Sequence, residues 1–204
     1  MDAIADTIQK RLLDLIVSGR IAPGEPIRQD RVAQDLGVSK VPLREALGRL
    51  EEMGLVESAM HRGFVAARLS REEADDLFST RMLVEPPTAA AGCERASEGQ
   101  RRDLDESLQA LAKAGDGASD TALARLAMAL DLLRPAGRPS IAKFVVPLFY
   151  RSERYLRRGH ALSLDAASLQ DLVRAWTLGR PAAVKELYEQ RLAARWRAAL
   201  ESLD

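Results

Sequence analysis

Apolar positions recur at helical spacing through the first fifty residues. Ile4, Ile8, Leu12, Leu15 and Ile16 form one stripe and predict a helix over residues 4–17, which Gly19 ends. Ile21-Ala22-Pro23-Gly24-Glu25-Pro26 is a turn-rich connector. Two shorter helical patterns share the stretch 29–50. Val32, Ala33 and Leu36 give the first an apolar face; Val41, Ala46, Leu47 and Leu50 give the second. Gly37 between them can take the left-handed conformation that ends a helix and turns the chain. Ser39 suits the N-cap of the second helix, and Pro42 in its first turn loses no needed hydrogen bond. Past Gly54 the period shortens. Leu55-Val56 opens an apolar run, His61-Arg62-Gly63 reads as a polar turn, and Phe64-Val65-Ala66 is a second run, so a β-hairpin follows.

A helix, a tight glycine turn and a capped second helix make a helix-turn-helix, whose second helix can enter a major groove. Ser39, Lys40, Val41 and Arg44 lie outward near its start: short donors, two cations and a methyl surface, suited to phosphates and base edges. A hairpin directly behind such a helix is a wing, and Arg62 at its tip is placed to reach a phosphate or a minor groove.

From Ser70 onward the pattern is helical only. Ser70-Arg71-Glu72-Glu73 is a capping box that opens a helix through Ala74, Leu77, Phe78, Met82 and Val84, and Pro86-Pro87 is expected to kink or split it. Ser97-Glu98-Gly99-Gln100 caps the next helix. Helical patterns then cover residues 120–134, 140–158, 164–178 and 181–203, broken at Pro135-Ala136-Gly137-Arg138-Pro139 and at Gly179-Arg180, with a bend expected at Pro147. The reading is mainly α: a winged helix-turn-helix of three helices and a small hairpin over residues 1–68, then an all-α bundle of six or seven helices over 69–204.

Charge does not strengthen the nucleic-acid reading. The chain carries 30 basic and 30 acidic residues, and residues 1–68 hold ten of each, so the argument rests on where the cations stand. Hydrophobic residues make up 47% of the chain, enough for a real core. Cys93 is the only cysteine, which excludes an intrachain disulfide and fits a reducing compartment. With no signal-like start and no apolar run near the ~20 residues of a membrane span, a cytoplasmic protein without membrane contact is expected. One Cys and two His, His61 and His160, form no nucleophile–base spacing, and there is no phosphate-cradling glycine loop. No enzyme is expected.

The segments Gly19-Arg20-Ile21-Ala22-Pro23-Gly24-Glu25, Gly37-Val38-Ser39-Lys40-Val41-Pro42-Leu43-Arg44-Glu45-Ala46-Leu47, Gly54-Leu55-Val56 and Arg62-Gly63 together resemble a GntR-family transcription regulator of the FadR/FCD subgroup. Arg81-x-x-Val84-Glu85, Ala136-Gly137-Arg138-Pro139 and Ser152-Glu153-Arg154-Tyr155 extend the resemblance, more weakly, over the second domain. The resemblance implies a homodimer, more often a repressor, on a pseudo-palindromic double-stranded operator, with a helical effector-binding and dimerisation domain. Carried over by position, the DNA contacts are Ser39, Lys40, Val41, Arg44, Arg62 and Gly63. Lys40 departs from the arginine more usual there and lacks the fixed fork that reads guanine.

Most FCD domains hold a divalent metal with one Asp and three His. Counted from Ala136-Gly137-Arg138-Pro139 and within the last two helices, those positions fall here on Arg125, Ala129, Leu169 and Arg191. None can ligate as the family does, so no metal and no cofactor is expected. Arg125 and Arg191, joined by Arg81, are candidates to clasp a small carboxylate or phosphate effector directly, with Phe149, Tyr150, Arg154 and Trp176 as the rest of the wall. Alternatively, the arginines pair with acids such as Glu85, Asp131 or Glu189, and the domain is a ligand-independent dimer module that has lost sensing. Both readings stay open at this point.

Overall fold

The computed structural model describes residues 2–60, 63–114, 118–156 and 166–203. The chain divides into two compact units, Met1–Leu69 and Ser70–Asp204.

The first unit contains α1 (Asp2–Val17), α2 (Gln29–Leu36), α3 (Lys40–Glu52) and an antiparallel hairpin of β1 (Val56–Ala59) and β2 (Gly63–Ala66). The buried stripe of α1 is Ala5, Ile8, Leu12 and Ile16; Ile4 is exposed and Leu15 only half-buried. The stripe thus starts one residue later than the apolar pattern suggests, and the 3/4 spacing from Ala5 keeps it on one face against α3. Gly37 is left-handed at φ 63°, and its N–H and that of Val38 close on Gln34 and Ala33. In α3 the buried face is Leu43, Ala46, Leu47 and Leu50. Val41 is 68% exposed and belongs to the outward group, not to this face.

The connector before α2 does more than turn. Gly24 N–H donates to Ala66 O, Ala66 N–H to Glu25 O and Ile27 N–H to Phe64 O, so the connector lies along β2 as a short third pairing. Both neighbours of β2 are therefore satisfied and the wing is anchored along both sides.

In the second unit α4 (Arg71–Arg95) is central. Around it lie α5 (Glu98–Ala114), α6 (Ala118–Leu133), a single 3₁₀ turn at Arg134–Ala136, α7 (Pro139–Leu156), α8 (Ala166–Thr177) and α9 (Pro181–Glu201). Helix α4 packs most extensively on α9, and also on the 3₁₀ turn, α7, α6 and α8. It runs as one uninterrupted 25-residue helix through Pro86 and Pro87, so the split expected there does not occur. Packing on several sides outweighs the two lost backbone donors. Pro147 likewise sits inside an uninterrupted α7. Gly92 allows the closest approach: a Cβ there would stand 2.4 Å from the Leu132 carbonyl oxygen at the end of α6.

The two caps are built differently. At α5 the box is complete: Gln100 N–H donates to Ser97 Oγ and Ser97 N–H to Gln100 Oε1. At α4 Ser70 Oγ accepts from Glu73 N–H at 3.0 Å, but the return bond is missing. Ser70 N–H donates instead to Tyr155 Oη at 3.2 Å, and Tyr155 in turn donates to the Glu73 carboxylate, which also takes Arg151. Burial, reinforced by that bond, raises the Tyr155 hydroxyl well above its ordinary pKa. No helix among the described residues is long and apolar enough to cross a membrane.

Candidate functional site

The first unit presents one polar end. Ser39 is the N-cap of α3 by its extended backbone, yet its side chain makes no capping bond, so the exposed hydroxyl is directed at nothing within the helix. Lys40, Val41 and Arg44 follow on the exposed first turns of α3. Lys40 Nζ is 2.5 Å from Asp30 Oδ1, both groups in water, and such a pair is easily opened. Arg44 Nε donates to Gln29 Oε1 at 3.4 Å. Gly63 begins β2 with φ 69°, and a Cβ there would meet Gln29 Nε2 at 3.0 Å. Gln29 thus bonds the α3 cation and lies close beside the tip end of the wing. Its polarity and its place at the first position of α2 gave no sequence signal for this, because the link is made only when the hairpin folds back. Arg62, expected at the wing tip, lies outside the described residues, as does His61.

The second unit encloses a cavity of about 430 Å³ of space between atoms, its mouth included. All four positions that the FCD pattern assigns to metal ligands, Arg125, Ala129, Leu169 and Arg191, line it. Arg81 lines it too, and so do Tyr188 and Arg195, which the sequence gave no reason to choose. Tyr150 and Arg154 do not, although both are buried. On α7 it is Phe149 that faces the cavity and, one turn on, Glu153 that holds the arginines; Tyr150 and Arg154 are each one residue further, roughly 100° round the helix. Trp176 is also outside the lining: it is fully buried under Arg101, whose guanidinium stands 5.5 Å from its ring.

Two carboxylates hold these guanidiniums. Glu85 takes Arg81 through both oxygens, at 2.6 and 3.0 Å, and accepts from the Tyr188 hydroxyl at 2.9 Å. Arg81 also donates to Ser152 Oγ at 2.5 Å. Glu153, fully buried, gives one oxygen to Arg125 at 2.8 Å and the other to Arg195. Burial opposes its charge, but Arg195, Arg125 and Arg81 outweigh burial and hold the Glu153 carboxyl below the usual range. Burial, then the adjoining Glu85, pushes the Tyr188 hydroxyl far up, so it stays protonated and donates to Glu85. Arg125 Nε is buried and makes no hydrogen bond.

This donor set does not fit a metal. The four ligand positions carry guanidinium or alkyl groups, and the two carboxylates at hand are committed to arginines. No group of three or more His, Cys, Asp or Glu side chains able to hold an ion occurs among the described residues.

Comparison with known proteins accords with both halves. Residues 4–65 match the model of bacterial regulatory proteins of the gntR family, and residues 76–194 match that of the FCD domain. The chain is 31% identical over 117 residues to the uncharacterized HTH-type transcriptional regulator YdhC of Bacillus subtilis, covering 57% of this chain and 52% of that protein. It is 36% identical over 84 residues to the Nta operon transcriptional regulator of Aminobacter aminovorans, covering 41% of this chain and 40% of that one. The chain thus spans about half the length of the first relative and two fifths of the second. Among solved structures, Escherichia coli McbR/YncC shares the fold with a TM-score of 0.85 over 98% of this chain and 99% of that chain, at 17% identity. A putative GntR transcriptional regulator from Rhodococcus sp. RHA1 does so at 0.79, over 98% and 97%, at 18% identity.

Proposed function

The chain belongs to the gntR family of bacterial regulatory proteins and carries an FCD domain, and from that premise we propose that it is a sequence-specific, DNA-binding transcription regulator, a repressor by preference, working as a cytoplasmic homodimer on a pseudo-palindromic operator. The observation that carries this reading is the exposed start of α3. There an exposed Ser39 hydroxyl, the Val41 methyls and the cations Lys40 and Arg44 stand together at the start of one helix, with Gln29 between Arg44 and the tip end of the wing. Ser39, Lys40 and Arg44 supply phosphate and base-edge donors, and Val41 an apolar surface for a thymine methyl. Gly63 lets the wing turn, and Arg62 is assigned to its phosphate contact. A two-fold dimer matches a two-fold operator.

In this reading the second unit carries dimerisation and senses a small anionic effector without a metal, which biases the two DNA-binding units toward or away from operator spacing. The chain is given no catalytic role. Selection of bound duplexes from a random pool by the purified protein tests the proposal. Two inverted half-sites should emerge, and Arg44→Ala should lower their enrichment. A pool that stays random would sink it.

A further inference from the structure

We propose that Gln29 sets base discrimination by α3: its side-chain amide, standing between α3 and the wing, takes the Nε–H of Arg44 and turns the free edge of that guanidinium toward a guanine. The proposal rests on reading the first unit as the operator-binding one, and it adds how that unit tells one base pair from another. Gln29 acts through Arg44 as a positioning residue and needs no DNA contact of its own.

Of the exposed side chains Ser39, Lys40, Val41 and Arg44, only Arg44 carries a planar fork of donors. Ser39 and Lys40 offer donors that rotate freely, and Val41 offers none, so none of the three demands two acceptors at a fixed spacing. Guanine presents such a pair, O6 and N7, in the major groove, and a guanidinium meets both at once. That contact discriminates only when the fork arrives in the right plane. An exposed arginine on a long, flexible stem does not select that plane unaided.

Gln29 supplies the orientation. Arg44 Nε donates to Gln29 Oε1 at 3.4 Å, long for such a bond, so it aims the group without pinning it. A guanidinium has no acceptor, so the oxygen end of the amide must face it, and the two Nη nitrogens stay available. The neutrality of the partner matters as well. Lys40 stands against Asp30, and Arg49 against Asp6 and Glu45, so each of those cations shares its charge with a carboxylate. Arg44 meets an uncharged amide and brings its full charge outward. The amide is in turn held by the fold. Ile27 N–H donates to Phe64 O at 2.8 Å and Pro26 bridges Val65, so the connector delivers the chain into α2 beside the start of β2. Two residues after Ile27, Gln29 is half-buried at the first position of α2, and a Cβ on Gly63 would stand 3.0 Å from its Nε2. The bare Gly63 leaves room for the amide. Thus α2, α3 and the wing meet at one neutral side chain, with Arg44 at its oxygen end and Gly63 at its nitrogen end.

The test uses the full-length protein, the operator selected from the random pool, and duplexes carrying each single base-pair change, titrated by fluorescence anisotropy at several salt concentrations. In the native chain one G·C pair per half-site should be preferred by about tenfold or more, and Arg44→Ala should erase that preference. Gln29→Met keeps the length of the side chain but removes the acceptor. It should reduce the preference at the same pair by about fivefold or more and leave the other positions unchanged. Its slope of log K against log salt should match the native one, because Arg44 keeps its charge. Gln29→Glu restores an acceptor and should retain the preference. Gln29→Ala should act like Gln29→Met, so the result does not hang on the folding of one variant. An unaltered preference in Gln29→Met and Gln29→Ala, a loss spread evenly over all sequences, a loss in Gln29→Glu as large as in Gln29→Met, or no pair that depends on Arg44 overturns the proposal. An operator that the native chain selects and these variants read identically removes only this assignment, whereas a pool from which the native chain selects nothing removes the regulator reading and this assignment with it.

Discussion

Lys40 and Arg44 are both exposed cations at the start of α3, but their neighbours differ. Lys40 faces Asp30, whose carboxylate is itself exposed and pairs with the cation that would otherwise meet a phosphate. Removing that charge should help DNA rather than hurt it. Asp30→Asn is expected to tighten operator binding by up to about fivefold, the scale of one exposed ion pair; anisotropy titration with labelled duplex reads it, and weaker binding would mean Asp30 is needed to position Lys40. Gly92 is constrained on its own terms. A methyl group placed 2.4 Å from a backbone oxygen forces α4 and α6 apart, so Gly92→Ala should cost about 1–3 kcal/mol in urea unfolding. Glu153 sets an acid limit. Its carboxyl titrates below the ordinary glutamate value of about 4.3, so its contribution is complete above that pH and fades as pH falls through the depressed value. Glu153→Gln should therefore cost about 3 kcal/mol or more at neutral pH, where two buried guanidiniums lose their shared partner. The difference from the native chain should narrow in acid, and a gap independent of pH would contradict the assignment.

Element by element, the parts coded locally were legible. Gly37, Ser39 and the apolar spacing around them mark the helix-turn-helix, and Ser97 with Gln100 marks the start of α5. What could not be read locally depends on distant partners. Nothing in Gly24-Glu25-Pro26-Ile27 says that it will pair with β2. Likewise, Glu73 looks like the returning arm of a capping box until Tyr155, 82 residues away, takes that place. The prolines of α4 teach the same lesson in reverse, because local chemistry predicted a break that tertiary packing prevents. The helix still carries their cost. Pro87 is exposed, so Pro87→Ala should restore one backbone donor without disturbing the core and stabilise the chain by about 1–2 kcal/mol, the helix gain less the entropy returned to the unfolded state. A loss of stability on chemical denaturation would show that the proline shapes α4 in a way packing requires.

At the scale of the molecule, two units divide the work proposed for it. The FCD resemblance, carried over by counting within each helix, picked out Arg125, Ala129, Leu169 and Arg191, and all four line one cavity. It failed for Tyr150 and Arg154, where a step of one residue turns a side chain off the wall, and it was silent on Arg195 and Tyr188, whose roles arise from Glu153 and Glu85 across the bundle. The central claim concerns the other unit: few but well-placed cations on α3 and the wing dock on phosphates, in a chain whose charges otherwise balance. The most direct test is the salt dependence of binding to the selected operator, for the native chain and Arg44→Ala. The account predicts that log K falls linearly with log salt and that the variant's slope is shallower by about one per half-site. An affinity indifferent to salt, or an unchanged slope in the variant, would contradict it.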